Sequence, residues 1–434
     1  MSKLCQKDKL GSELKIAFIV GRFPVLSEAF ILNQIAGLLE RGHEVDIYAL
    51  EGYSRETKVH PIVEKYNLLA RSHYVPDIPH NFIFRCLKAI QLLFTQSYKN
   101  PLAVIKSFNW LRYGKQALSL RLFYGAIAFL NNQQYDLVHC QFGIYAMQGK
   151  YPQDAGVLRL RSLGLLQGKL VIGFRGWDIS WYVKQYGEDV YQRLFPHADF
   201  FVTNCNFFRD RAIKIGCPGN KITVVGSGID CQKFQFKPRQ LPKDGIVRLA
   251  TTGRLIEKKG IEYAIRAVAD TIPYYPHLEY NIIGDGYLRD SLQQLITELG
   301  LTNKIKLLGW KQQAEIISIL DNTQIFLAPC ITAQDGNQDA PVNTLKEAMA
   351  IGLPVISTYH GGIPELVQNG VSGYLVPERD SQAIAEKLQY LIANSNLWQY
   401  LGKQGRKFVE QHYDIEPLND LLVDVYRQTL SIEH

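Results

Sequence analysis

The sequence predicts an α/β protein built from two doubly wound, parallel-sheet units and a C-terminal helix. Three observations predict it. Short apolar strand signals alternate with helical periodicities from end to end. A polar segment punctuated by Pro and Gly, Lys237-Pro-Arg-Gln-Leu-Pro-Lys-Asp-Gly245, interrupts the alternation and reads as a linker. A second strand–helix series of the same design follows it. The length agrees: 434 residues exceed one ordinary core, since domains usually hold ~100–200 residues.

The elements follow in order. Lys15-Ile-Ala-Phe-Ile-Val20 is a buried-strand run. Ser27 is placed to cap a helix whose apolar positions Phe30, Ile31, Ile35, Leu38 and Leu39 recur at helical spacing, and Gly42 ends it. Strand signals come next at residues 44–50, 136–140, 169–174, 199–203 and 221–225. Beyond the linker they stand at 247–251, 278–283, 305–308, 325–328 and 354–357. Gly260 precedes a helix with Ile261, Ala264, Ile265 and Val268 on one face. Residues 406–430 read as helix with no strand after them. The expected division is 1–238, 239–405 and a helix in 406–434 that packs back on the first unit.

Hydrophobic residues make up 47% of the chain and charged residues 21%, as in a soluble globular protein, and this excludes a disordered chain. The opening residues, Met1 to Ser12, lack the apolar core of a secretory signal. No run reaches the ~18 apolar residues of a spanning helix. The seven cysteines are odd in number and widely spaced, with no Cys-x-x-Cys, so reduced thiols in a cytoplasmic protein are expected. The net charge of +7 is uneven. Residues 78–135 hold no Asp or Glu, yet carry Arg85, Lys88, Lys99, Lys106, Arg112, Lys115 and Arg121 among many bulky apolar side chains. That pattern suits basic amphipathic helices lying on anionic lipid, or core-packed helices with a solvated basic face. No recognition motif supports a nucleic-acid role.

Ligands of doubly wound sheets bind outside the C-terminal strand ends. Gly253-Arg254-Leu-Ile-Glu-Lys258-Lys259-Gly260 follows a strand and opens a helix. Arg254 and Lys259 can reach one anion there, helped by the helix N-terminus, and a pyrophosphate is the natural partner; a solvated loop is the alternative. In the stretch from Asp335 to Ile356, Pro341 suits the first turn of a helix and Gly352 its end. Amides around Val342, Asn343 and Thr344 can hold a phosphate. Glu347, beside Leu345, Ala348 and Met349, is either a partly buried carboxylate that takes donors from sugar hydroxyls or a surface Glu on an amphipathic helix. His139 ends a strand and is a core histidine or a cleft residue. Gly226-Ser-Gly228 and Gly284-Asp-Gly286 are weak as dinucleotide fingerprints. No Asp-x-Asp occurs, so no metal-bridged pyrophosphate and no cofactor is expected.

These segments, with Tyr359-His-Gly-Gly-Ile-Pro-Glu365 and Gly370-Val-Ser-Gly-Tyr-Leu-Val-Pro377, resemble the C-terminal half of the retaining family-4 glycosyltransferases. The resemblance runs from about Lys15 to Leu430. It implies the GT-B fold, two facing Rossmann-like domains, with a nucleotide-diphosphate sugar as co-substrate. Asp339 and Glu347 match the family's acid, seven residues, Glu spacing, with Asp339 in place of the more usual Glu. Phe23-Pro-Val-Leu-Ser-Glu-Ala-Phe-Ile-Leu-Asn-Gln34 is similar to the subgroup that assembles bacterial exopolysaccharides such as colanic acid.

Carried over by position, the resemblance implies that Arg254 and Lys259 bind the donor diphosphate, Glu347 the ribose, and Asp339 the donor sugar. Gly309, in the Leu308-Gly309-Trp310 turn, would lie beside the base. Gly21 and Ser27 would line the cleft from the other side, where the family usually has Gly-Gly in place of Leu26-Ser27. The family often reads Phe-His-Gly where this chain has Phe174-Arg175-Gly176. Arg175 cannot be a base near neutral pH but can bind a phosphate or a sugar oxygen, so it is expected to point into the cleft. The implied reaction is metal-independent transfer of a hexose, with retention, to a lipid-linked glycan at the inner face of the membrane. A sugar-nucleotide epimerase of the same fold and a non-catalytic glycan- or nucleotide-binding scaffold are the alternatives.

Overall fold

The computed structural model describes residues 13–54, 59–131, 133–147 and 156–432. The first sheet holds β1 (Lys15–Val20), β2 (Glu44–Ala49), β3 (Ser72–Tyr74), β4 (Gln134–Cys140), β5 (Gln167–Phe174), β6 (Phe200–Thr203) and β7 (Ile222–Val224). The second holds β8 (Val247–Thr252), β9 (Leu278–Ile283), β10 (Ile305–Gly309), β11 (Ile325–Ala328), β12 (Val355–Thr358) and β13 (Tyr374–Val376). Their orders are β3-β2-β1-β4-β5-β6-β7 and β10-β9-β8-β11-β12-β13. Every pairing between these strands is parallel. Helices cover both faces of such sheets, so the central strands are mainly apolar. β6, β11 and β12 are buried at every residue. The edge strands β3 and β13 were not expected. Three residues each are too few to display a period.

Several helices matter for function. They are α1 (Ala29–Glu40), α2 (Phe82–Gln96), α3 (Pro101–Ser107), α4 (Asn206–Lys214), α5 (Ile261–Thr271), α6 (Asn343–Ile351), α7 (Leu397–His412) and α8 (Ile415–Ser431). In α1, Ile31, Ile35 and Leu38 face the core as expected. Ser27 does not cap it. Ser27 is exposed inside a one-turn 3-10 helix, Leu26–Glu28, that leads straight into α1, so Glu28 holds the cap position. A capping side chain must sit on an extended residue outside the helical run, and Ser27 does not. The expected single helix over 406–430 is two helices. Ile229 breaks it by donating its N–H to the Tyr413 carbonyl and accepting from the Ile415 N–H. Asp414 then starts α8, its side chain accepting from the Glu416 N–H.

The break separates two allegiances. In α7, Trp398 and Leu401 pack in the second domain's core. In α8, Leu422, Val423, Val425 and Tyr426 pack in the first domain's core. The outgoing crossing lies earlier than the expected linker, because Ile229, Cys231 and Phe234 already pack in the second domain. Residues 237–245 are held along that domain: the Arg239 guanidinium donates to the Asp321 and Ile351 carbonyls. The chain therefore crosses between domains twice at one place, beside Ile229 and Asp414. The six described cysteines are free thiols, while Cys5 and the opening Met1 to Ser12 segment lie outside the described residues.

Candidate active site

The crevice of an open parallel sheet forms where the strand order reverses. In the second sheet that point lies between β8 and β11. The turns after β8, β9 and β10 are drawn together there, the Gly253 N–H donating to the Ile283 carbonyl and the Gly284 N–H to the Gly309 carbonyl. Gly284, at φ +136°, must be Gly, because a Cβ would stand 1.9 Å from the Gly253 carbonyl oxygen. Arg254 leaves this turn exposed to solvent. Lys258 and Lys259 follow in a short 3-10 turn, and Gly260, in the left-handed region, starts α5.

Lys259 does not wait empty-handed for an anion. Its ammonium lies 2.7 Å from Asp339 Oδ2, and the Lys258 ammonium lies 2.7 Å from Asp339 Oδ1. The paired ammoniums hold the Asp339 carboxyl well below its usual range, and Asp339 in turn raises Lys259. Two lysines and exposed Arg254 against one carboxylate leave positive charge in surplus at the strand ends. Asp339 is fixed from behind. Its N–H donates to His360 Nε2 at 3.0 Å, and His360 Nδ1 lies 2.7 Å from Glu378 Oε1. His360 accepts at Nε2, so its proton is on Nδ1 and donated to Glu378; burial lowers its pKa and keeps it neutral. Glu378 also accepts from the Thr332 N–H. Sequence reasoning missed Lys258, His360 and Glu378. His360 lay inside the motif already singled out, whereas Glu378 carried no signal.

The N-terminus of α6 adjoins this cluster through Pro341. Pro341 stands before the cap residue Val342 rather than in the first turn, and among the described residues no side chain caps the helix. The first-turn amides of Asn343 and Thr344 thus stay open to an anion. Glu347 is partly buried, and burial pushes its carboxyl up to about 7. Among the described residues no group hydrogen-bonds that carboxyl. Lys346 beside it turns into the domain junction. Its ammonium donates to the Ser227 carbonyl at 2.7 Å and lies 4.5 Å from the Tyr413 ring centre. Burial pushes Lys346 down to about 7.

In the first sheet the order reverses between β1 and β4. Gly21 follows β1 and a Cβ there would meet the Tyr145 hydroxyl at 2.1 Å, so the turn is tightly covered. Ser27, six residues further on, is exposed. Arg175 follows β5. The guanidinium is buried, donating to Gln141 Oε1 at 2.9 Å and Gln34 Oε1 at 3.3 Å, and lies 5.4 Å from the Phe30 ring centre. Two amide oxygens and an aromatic face hold it against α1, while its Nε and Nη1 have no hydrogen-bond partner among the described residues. Burial lowers its pKa to about 10. Asp178 holds the turn itself, accepting from the N–H groups of Arg175, Gly176 and Gly143. His139 is a core histidine, fully buried with Nδ1 2.6 Å from the Tyr426 hydroxyl of α8.

The first domain grips the loop that carries Asp339. The Gln338 N–H donates to Ser180 Oγ, Arg211 to the Gln338 side chain, and Lys184 to the Gln334 carbonyl. Glu365 reaches the other way and accepts from the Asn206 and Phe207 N–H groups at the start of α4.

Comparison with known proteins decides the family. Residues 27–233 match the Glycosyltransferase Family 4 domain, and residues 232–408 match Glycosyl transferases group 1. The chain is 33% identical over 421 residues to a Salmonella typhimurium protein assigned as a colanic acid biosynthesis glycosyltransferase, covering 95% of this chain and 99% of that one. It belongs to the family-4 glycosyltransferases. This glycosyltransferase is also 36% identical over 379 residues to the amylovoran biosynthesis glycosyltransferase of Erwinia amylovora, covering 86% of this chain and 89% of that one. Its fold is that of Anabaena HepE, solved with UDP and glucose, at a TM-score of 0.66 and 18% identity over 95% of this chain and 99% of that one. The sucrose-phosphate synthase of Thermosynechococcus elongatus is as similar in fold, at a TM-score of 0.66 and 18% identity over 96% and 99% of the two chains. The glycosyltransferase thus has the GT-B architecture of two Rossmann-like domains.

Proposed function

We propose that this glycosyltransferase moves a hexose, with retention, from a nucleotide-diphosphate sugar to a polyprenyl-linked glycan during exopolysaccharide assembly, without a metal or other cofactor. One observation carries the reading: the lysine-rich cluster around Asp339 stands at the β8/β11 reversal beside the uncapped end of α6. A diphosphate there takes the Lys259 ammonium and Arg254 directly. Lys258 keeps one Asp339 oxygen neutralised while the other turns to the donor sugar. Glu347 accepts from the ribose hydroxyls, the base lies by Gly309, and positive charge replaces a bridging metal.

In the transfer, the bond between the anomeric carbon and the diphosphate oxygen breaks, and its electron pair stays on the phosphate. The acceptor hydroxyl attacks on the same face, and its proton passes to the departing phosphate oxygen. This chemistry needs no strong protein base, so Arg175 is compatible with it. The names of the relatives support the exopolysaccharide pathway, and a carrier lipid would place the enzyme at the inner face of the membrane.

The test uses a labelled nucleotide sugar, a polyprenyl diphosphate glycan and a chelator. NMR of the product should show the donor's anomeric configuration. An inverted product would overturn retention, and loss of turnover on chelation would overturn metal independence. A changed sugar still attached to its nucleotide would point to the epimerase.

A further inference from the structure

The connection between β3 and β4 has its apolar residues on the wrong side for a water-facing surface. In α2, Ile83, Leu87, Ile90 and Phe94 follow one another at intervals of four, three and four residues, which makes one stripe along the helix. All four are between 50% and 85% exposed. The buried positions of the same helix are Arg85 and Ala89. In α3, Leu102 and Ile105 point outward while Ala103, Val104 and Ser107 face the core. Trp110 and Leu111, just beyond α3 in the chain, are exposed as well. An amphipathic helix that shields a soluble core shows the reverse order. A contiguous exposed apolar face of this kind marks an interaction surface.

Charge selects the partner. Residues 78–135 contain no carboxylate. Lys99, Lys106, Arg112 and Lys115 are exposed along the same connection. Arg85 is not one of these surface cations, contrary to the sequence expectation. It is buried, and its guanidinium donates to the carbonyls of Pro79, His80 and Ser119, which pins α2 to the domain. A second copy of the chain would bring the same cations against one another across a two-fold axis. An anionic bilayer offers the opposite sign in its headgroups and an apolar layer beneath them.

We propose that α2, α3 and the turn carrying Trp110 and Leu111 form a wedge that inserts into anionic lipid, with Lys99, Lys106, Arg112 and Lys115 at headgroup level. The purpose of the wedge rests on the reading that the acceptor is lipid-linked; its existence does not.

Flotation of the full chain with phosphatidylglycerol-containing vesicles and with pure phosphatidylcholine vesicles tests it. The wild type should float with the anionic vesicles at low salt, less as salt rises, and not with the neutral ones. Each removed cation should weaken partition about fivefold. The double variant Leu87→Ser/Phe94→Ser and the triple variant Lys99→Glu/Lys106→Glu/Arg112→Glu should both stay behind. These are surface changes, and protection of each variant against heat by nucleoside diphosphates checks that it is folded. Trp110 emission should shift to the blue on anionic vesicles, and the shift should vanish in Trp110→Phe. Failure of the wild type to float, or flotation undiminished in both variants, would overturn the wedge. So would a concentration-dependent dimer that Phe94→Ser dissolves. If sugar transfer to a soluble acceptor persists while flotation fails, the wedge falls and the transferase reading stands. If flotation succeeds without transfer, the reverse holds.

Discussion

Asp339 sets the chemistry at the smallest scale. It shares one carboxylate between two ammoniums, and in the proposed site a diphosphate competes for only one of them. Lys259→Ala should therefore weaken nucleoside diphosphate binding by ~1.5–3 kcal/mol, the usual worth of a charged hydrogen bond, read by titration calorimetry. Unchanged affinity would remove Lys259 from the donor site. Asp339→Asn leaves two lysines partly buried without their carboxylate. It should cost ~3–5 kcal/mol in chemical denaturation, as broken buried ion pairs do. Glu347 adds a pH dependence. Its folded pKa of about 7 lies above the ordinary carboxylate value, so the folded state holds the proton more tightly than the unfolded chain. Stability from this group is present at acid pH and is lost as pH rises through about 7. In the proposed role the ionised form accepts from ribose, so donor affinity should rise over the same window. Glu347→Gln should flatten that rise in a pH series of binding measurements. The loop of Arg254 and Lys259 was legible as a strand-to-helix turn, and Asp339 and Glu347 were singled out by the family resemblance, while the pairing of Lys258 and Lys259 with Asp339 was not legible. Nor were the hydrogen-bond partners of Arg175, because Gln34 and Gln141 lie far from it in sequence and only the folded sheet brings them together.

At the scale of elements, the central strands were legible as apolar runs, and α1, α5 and α6 by their periodicity and the Gly42, Gly260 and Gly352 signals. What escaped was decided by long-range contacts. A helical pattern runs on through Tyr413 and Asp414, but a backbone pairing with Ile229 breaks it. Edge strands β3 and β13 exist because β2 and β12 offer them partners. Glu365 belongs to the same class of contact. It caps α4 from the opposite domain, accepting two backbone N–H groups. Glu365→Ala should cost about 1 kcal/mol, the usual worth of a helix cap, and should loosen the domains as well as α4. Hydrogen exchange at Asn206 and Phe207 checks this. Unchanged protection there would show that the contact contributes nothing.

For the whole molecule, two crossings at one place are expected to act as a hinge, and the Glu365 and Gln338 contacts also bridge the domains. Opening must break those contacts, and donor held between Lys259 and Glu347 should favour their re-formation. Solution scattering should show a smaller radius of gyration with donor than without, and identical profiles would contradict closure. The central claim is that the second domain's strand-end cluster holds a nucleotide sugar for transfer. The most direct measurement follows nucleoside diphosphate release from a panel of nucleotide sugars, with and without a polyprenyl-linked glycan, in the wild type and in Lys259→Ala. The account predicts release from one donor that depends on acceptor, is matched by sugar on the glycan, and is lost in the variant. Nucleotide sugars left intact by the wild type in the presence of acceptor across the panel, or release that Lys259→Ala leaves unchanged, would contradict it.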